Sequence, residues 1–193
     1  KIRGFSLVEA MVSVAVFAII AALAIPTISE WTGKSKIRAD AEALQNSIRF
    51  AQSEALKRNQ LVEFSLVNAT TTPAANSVAI DDGTAWVVRD VPLSTEAATL
   101  LQAGLFSQGE IQHKGDDNKT LVFGGLGQVY TNIPNGSDPG PFLPTTRAYR
   151  IASSEDKYSL CVLVRPSGKT RWCDPSIMSG DRSCPGSATQ SCL

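Results

Sequence analysis

Few residues in this chain of 193 could act on a substrate. The single histidine, His113, leaves no basis for a histidine-centred triad. Asp81-Asp82-Gly83 and Asp116-Asp117-Asn118 are acidic turns that lack the other ligands of a calcium loop. Gly124-Gly125-Leu126-Gly127 has neither the lysine nor the strand-turn-helix context of a phosphate-binding loop. The four cysteines, Cys161, Cys173, Cys184 and Cys192, contain no C-x-x-C pair, and His113 is remote from them, so zinc is not expected. No catalytic residue, metal or cofactor is expected, and the chain does not read as an enzyme.

The residues that do suggest chemistry suggest charge pairing. Residues 5–25 are almost wholly apolar, long enough to span a bilayer, which takes roughly 20 helical residues. Lys1 and Arg3 precede this run and predict a cytoplasmic N-terminus with the remainder exported. Glu9 lies inside the run, near its start. A carboxylate at the centre of a membrane helix costs about 2.5–3.5 kcal/mol, and less near an end. Nothing else in the run is charged, so its partner must be a group on another chain or the N-terminal amine. A plain membrane anchor explains the hydropathy but not Glu9.

The stretch Gly4-Phe5-Ser6-Leu7-Val8-Glu9-Ala10-Met11 resembles the processing site of type IV pilins and type II secretion pseudopilins. The resemblance implies cleavage by a prepilin peptidase between Gly4 and Phe5, with N-methylation of Phe5. Residues 1–4 are then expected to be the tail of a leader, with part of it missing before Lys1. Glu9 becomes the fifth residue of the processed chain, the position whose carboxylate meets the Phe5 amine of a neighbouring subunit. Such pairing removes two charges that would be stranded in an apolar medium. Pro26 matches the proline these helices commonly carry; it is expected to end the span or loosen the helix. The implied partners are other pilins in a helical filament, the peptidase and the inner membrane, with the head on the periplasmic side.

The lower half of the chain supplies a second group of candidates. An even cysteine count in an exported domain favours disulfides. If the segment 161–173 is a hairpin turning at Ser167, Cys161 and Cys173 face each other closely enough to bridge, which leaves Cys184 with Cys192. The alternative joins tail to sheet, for example Cys161 to Cys184. Residues 166–175, Pro-Ser-Gly-Lys-Thr-Arg-Trp-Cys-Asp-Pro, resemble the "G-R-x-R" hairpin of the GspH/FimT group of minor pilins and pseudopilins. The helix segment 37–59, with Ser53-Glu54-Ala55, is similar to the same group. In some of that group the basic hairpin is associated with DNA binding during transformation. Arg165, Lys169 and Arg171, extended by Arg182, are therefore candidates for DNA contact, the alternative function. A net charge of zero gives no wider case for nucleic acid.

These residues need a scaffold. Ile37, Ala41, Leu44, Ile48, Ala51 and Ala55 recur at three- and four-residue steps and predict an amphipathic helix over 27–58, continuous with the apolar run. Trp31 reads as a headgroup-level anchor or a filament contact. After Asn59 the period becomes that of strands. Expected are a strand at 61–67, a hairpin of 77–82 with 85–90, and either a strand pair or a bulged strand over 120–130 around Gly124, Gly125 and Gly127. Residues 97–106 fit either a strand or a short helix, and 133–146 a loop. Strands follow at 147–152, 158–164 and 170–173, before a cysteine-containing tail. The fold expected is α+β: a long N-terminal helix packed on an antiparallel sheet. Its parts are a leader remnant (1–4), a filament-core helix (5–26), an amphipathic helix (27–58) and a β-rich head (59–193).

Overall fold

A computed structural model describes residues 6–92, 97–107, 111–114, 120–130, 146–152, 158–185 and 192, without the side chains of 23–30 and 111–114. The chain divides into two units, Lys1–Lys36 and Ile37–Leu193. Helix α1 runs from Leu7 to Arg58. It is helical through Pro26, so the apolar run and the amphipathic stretch form one continuous helix. Its end is made by Asn59, which takes φ 51° and turns the chain. The Gln60 amide then caps the Ala55 carbonyl at 3.3 Å. Lys57 and Arg58 in the last turn face the negative end of the helix dipole.

Strands of the second unit are β1 (Val62–Val67), β2 (Asp82–Gly83), β3 (Ala85–Asp90), β4 (Leu100–Leu105), β5 (Ile111–Lys114), β6 (Thr120–Phe123), β7 (Val129–Tyr130), β8 (Arg147–Ala152), β9 (Ser159–Val164) and β10 (Thr170–Cys173). Among the described residues they form two five-stranded sheets, β4-β3-β1-β6-β7 and β10-β9-β8-β5-β2, with every pair antiparallel. The α+β class holds, but two sheets replace the single one expected.

The predicted helix face is the centre of the core. Ile37, Ala41, Leu44, Ile48, Ala51 and Ala55 are all buried. They share one cluster with Phe64, Leu66, Leu121 and Phe123 of the first sheet and Tyr149, Leu160, Val162 and Val164 of the second. Phe64 and Tyr149 meet edge to face across the two sheets, with ring centroids 6.1 Å apart. Each large side chain fully buried here contributes about 1.5–3 kcal/mol. Every residue of β1 is buried, as a strand covered on both faces must be. That burial encloses Glu63, whose carboxylate is met by Arg89 of β3 at 2.7 Å. The same guanidinium donates to the Ala75 and Ser77 carbonyls at 2.7 and 3.1 Å, so the buried pair is satisfied.

The hairpin expected over 77–90 does not form. Residues 77–80 carry no strand, β2 pairs with β5 in the second sheet, and β3 pairs with β1 and β4. The connection instead lies against β1, with the Ile80 amide on the Leu66 carbonyl at 3.0 Å, and Arg89 takes its carbonyls. The ambiguous stretch at 97–106 contains strand β4, and β6 with β7 makes a strand pair about Gly124 and Gly127, one of the two arrangements expected. β5 was not expected, and the loop expected at 133–146 lies almost wholly outside the described residues.

Candidate functional site

The first unit presents an uncovered helix. Leu7, Val8, Met11, Val12, Val14, Val16, Phe17, Ile19 and Ile20 are exposed large hydrophobics, with Leu7 at 75% and Phe17 at 74%. At 100° per residue these positions go round the whole helix, so no face of it is the buried one. Glu9 is the acidic residue of the first turn and is exposed. Ser13 Oγ donates to the Glu9 carbonyl oxygen at 2.7 Å, which leaves the Glu9 carboxylate out of that bond. Trp31 is 72% exposed. Among the described residues no helix is long and apolar enough to cross a membrane. Gly4 and Phe5, where processing is expected, lie outside the described residues, as do the side chains of 23–30 within the expected span and beyond it.

At the C-terminal edge the cysteines pair otherwise than expected. β9 and β10 are the predicted hairpin, with Cys161 opposite Cys173 in register. Yet the bonds are Cys161–Cys192 and Cys173–Cys184. The reason lies in the tail, which returns to the sheet. Asp174 bridges Ser183, and the Asp174 amide donates to the Arg182 carbonyl at 2.8 Å. That brings Cys184 within 5.1 Å of Cys173, Cα to Cα. The four cysteines then bury with Ala148 and Leu163 as a small second core. The Sγ atoms of Cys161, Cys184 and Cys192 lie within 4.8 Å of one another, but all are consumed in disulfides and are not metal ligands in this state.

The basic residues are not brought into one free patch. Arg165 and Lys169 are exposed and bracket the β9–β10 turn, closed by Gly168 N to Arg165 O at 2.8 Å and Arg165 N to Lys169 O at 3.0 Å. Arg171 is half-buried, and its Nη2 donates to the Asp181 and Ser183 carbonyls at 3.2 and 2.6 Å. Arg171 therefore holds the tail. The turn is itself docked on the helix: Gln52 Nε2 donates to the Gly127 carbonyl at 2.9 Å and the Ser167 carbonyl at 3.4 Å. One side chain thus ties turns of both sheets to α1.

Sequence reasoning missed Gln45, Arg49 and Gln52. Gln45 Nε2 donates to the Thr170 carbonyl at 3.2 Å and Arg49 Nε to Thr170 Oγ1 at 3.0 Å, which covers the open edge of β10. Their one signal was position: polar residues flanking the apolar stripe, where a helix meets the strands it packs on.

The family model of type II transport protein GspH matches residues 40–168, and that of the prokaryotic N-terminal methylation motif matches residues 1–25. Two crystal structures of the type IV minor pilin FimU of Pseudomonas aeruginosa share the fold. One has TM-score 0.54 at 17% identity, covering 84% of this chain and 99% of that one. The other has TM-score 0.53 at 16% identity, covering 81% and 99%. The minor pseudopilin EpsH of the type 2 secretion system of Vibrio cholerae gives 0.46 at 12% identity, covering 74% and 99%. No curated protein sequence matches the chain.

Proposed function

As this chain belongs to the family of type II transport protein GspH, whose members are structural subunits and not enzymes, we propose that it is a minor pilin or pseudopilin assembled through its N-terminal helix. The observation that carries this reading is the contrast within α1. Two sheets cover its apolar stripe from Ile37 to Ala55, whereas residues 7–20 expose apolar side chains all round and carry one carboxylate, Glu9. A helix of that kind needs a non-aqueous surrounding: first a bilayer, then the matching helices of neighbouring subunits. The match of residues 1–25 to the methylation motif supports cleavage by prepilin peptidase between Gly4 and Phe5, with methylation of Phe5. The subunit is then held in the inner membrane with a periplasmic head until it enters a type IV pilus or a type II secretion pseudopilus. There Glu9 pairs with the Phe5 amine of the next subunit.

DNA contact through Arg165, Lys169 and Arg171 is not adopted: Arg165 and Lys169 bracket the turn while Arg171 donates to the tail carbonyls, so the three offer few phosphate contacts. The N-terminal peptide of the protein recovered from cells tests the proposal. Its mass should be that of a chain beginning at Phe5 with one added methyl group. A chain that keeps residues 1–4 in cells with active peptidase would refute the processing step.

A further inference from the structure

Three arginines from three separate elements of the second unit line one shallow, open cavity of about 390 Å³. Arg49 comes from α1, Arg171 from β10 and Arg182 from the returning tail, with Trp172 as a half-buried wall. Asp181 is the one acidic residue in the lining, and among the described residues it forms no ion pair with any of the three. The lining therefore carries three positive charges and one negative, a surplus of two cations in a chain whose total is zero.

Two of the three arginines are held by hydrogen bonds of their guanidinium groups. Arg49 is fixed through Nε on Thr170 Oγ1 at 3.0 Å, and its two terminal nitrogens take no part in that bond. Arg171 is fixed through Nη2 on the tail carbonyls. The disulfide Cys173–Cys184 bridges the strand and the tail on either side of Arg182. A guanidinium fork is matched by a planar two-oxygen acceptor. Extended duplex DNA fits less well. Its phosphates form long rows of closely spaced charge, which Asp181 in the lining opposes, whereas a single carboxylate needs only the local surplus of positive charge. An aliphatic stem ending in a carboxylate would also lie against Trp172.

We propose that this cavity receives a carboxylate side chain from the head of a neighbouring subunit. The choice of source rests on the filament reading above; the anion chemistry of the cavity does not. Two measurements separate them. In the first, full-length protein in detergent is titrated with a glutamate-rich peptide, with the glutamine version of the same peptide and with a short DNA duplex. The glutamate peptide should bind saturably and lose affinity with added salt, and the glutamine peptide should not bind. Arg49→Gln and Arg182→Gln should each weaken binding about tenfold, the scale of a lost charge-assisted hydrogen bond, with the disulfides unchanged. Equal binding of the two peptides, or unaltered binding by both variants, would overturn the site. Tighter, arginine-dependent binding of the duplex would overturn the carboxylate as its occupant. In the second, filament incorporation is measured in cells. The two arginine variants should be incorporated less than wild type. Normal incorporation of variants that have lost peptide binding would overturn the neighbouring subunit as the source. Glu9→Ala serves as the control: it should retain peptide binding whatever becomes of the filament.

Discussion

Gly168 takes φ +77°, in the left-handed region, and a Cβ there would meet Gln52 Nε2 and the Gly127 carbonyl oxygen at 2.7 Å. Backbone conformation and crowding both demand glycine. The turn was legible in the sequence as Pro166-Ser167-Gly168-Lys169; its docking on Gln52 was not, because the two lie far apart in the chain. Gly168→Ala should lower stability by about 1–3 kcal/mol from the φ strain, and more if Gln52 cannot move. Urea unfolding monitored by tryptophan fluorescence would measure this, and a midpoint equal to wild type would contradict it. Glu9 was legible for the opposite reason. A lone carboxylate in an apolar run is an anomaly that needs no long-range information to detect.

Helix α1 shows how far periodicity reaches. Its buried stripe was read residue by residue, because each apolar position repeats at helical spacing. Its last turn carries Glu54, bonded to Arg58 Nε at 2.7 Å and near Lys57 Nζ at 3.4 Å. The Arg58 hydrogen bond, aided by Lys57, holds the Glu54 carboxyl below its ordinary value of 4.5 against the opposing effect of burial. The folded chain therefore binds this proton less readily than the unfolded one. The resulting stabilisation is complete above about pH 4.5 and fades as pH falls through the lower folded value. Glu54→Gln should flatten the acid limb of stability against pH, and an unchanged limb would show that the pair contributes nothing. The strands were less legible than the helix. The residue pattern places β3, β8 and β10 at their observed bounds, yet it also predicts a hairpin of β3 with its upstream segment that does not form. Local turn signals cannot distinguish a hairpin from a crossing between sheets, and what decides here is long-range: Arg89 reaching back to residues 75 and 77.

At the scale of the whole molecule, the tail is tied to the sheet by disulfides and the N-terminal helix leaves its apolar surface exposed. The cysteines were legible as disulfides, but their pairing was not, since it follows from a tail that returns to the sheet. The bonds span 31 and 11 residues, which on the chain-entropy model contributes about 3–4 and about 3 kcal/mol. Trypsin offers a check. Cleavage at lysine and arginine should leave residues 158–169, 172–182 and 183–193 joined as one three-peptide species without reduction. The cross-strand alternative, Cys161 with Cys173, would release 183–193 on its own. The N-terminal helix exposes apolar side chains all round, and in the proposed filament other subunits cover them. The most direct test replaces Glu9 with alanine in otherwise intact cells and measures the subunit in the sheared filament fraction against the membrane fraction. Depletion from the filament, with the protein still present in the membrane and its disulfides formed, is the predicted result. Incorporation at the wild-type level would contradict assembly through the Glu9 carboxylate.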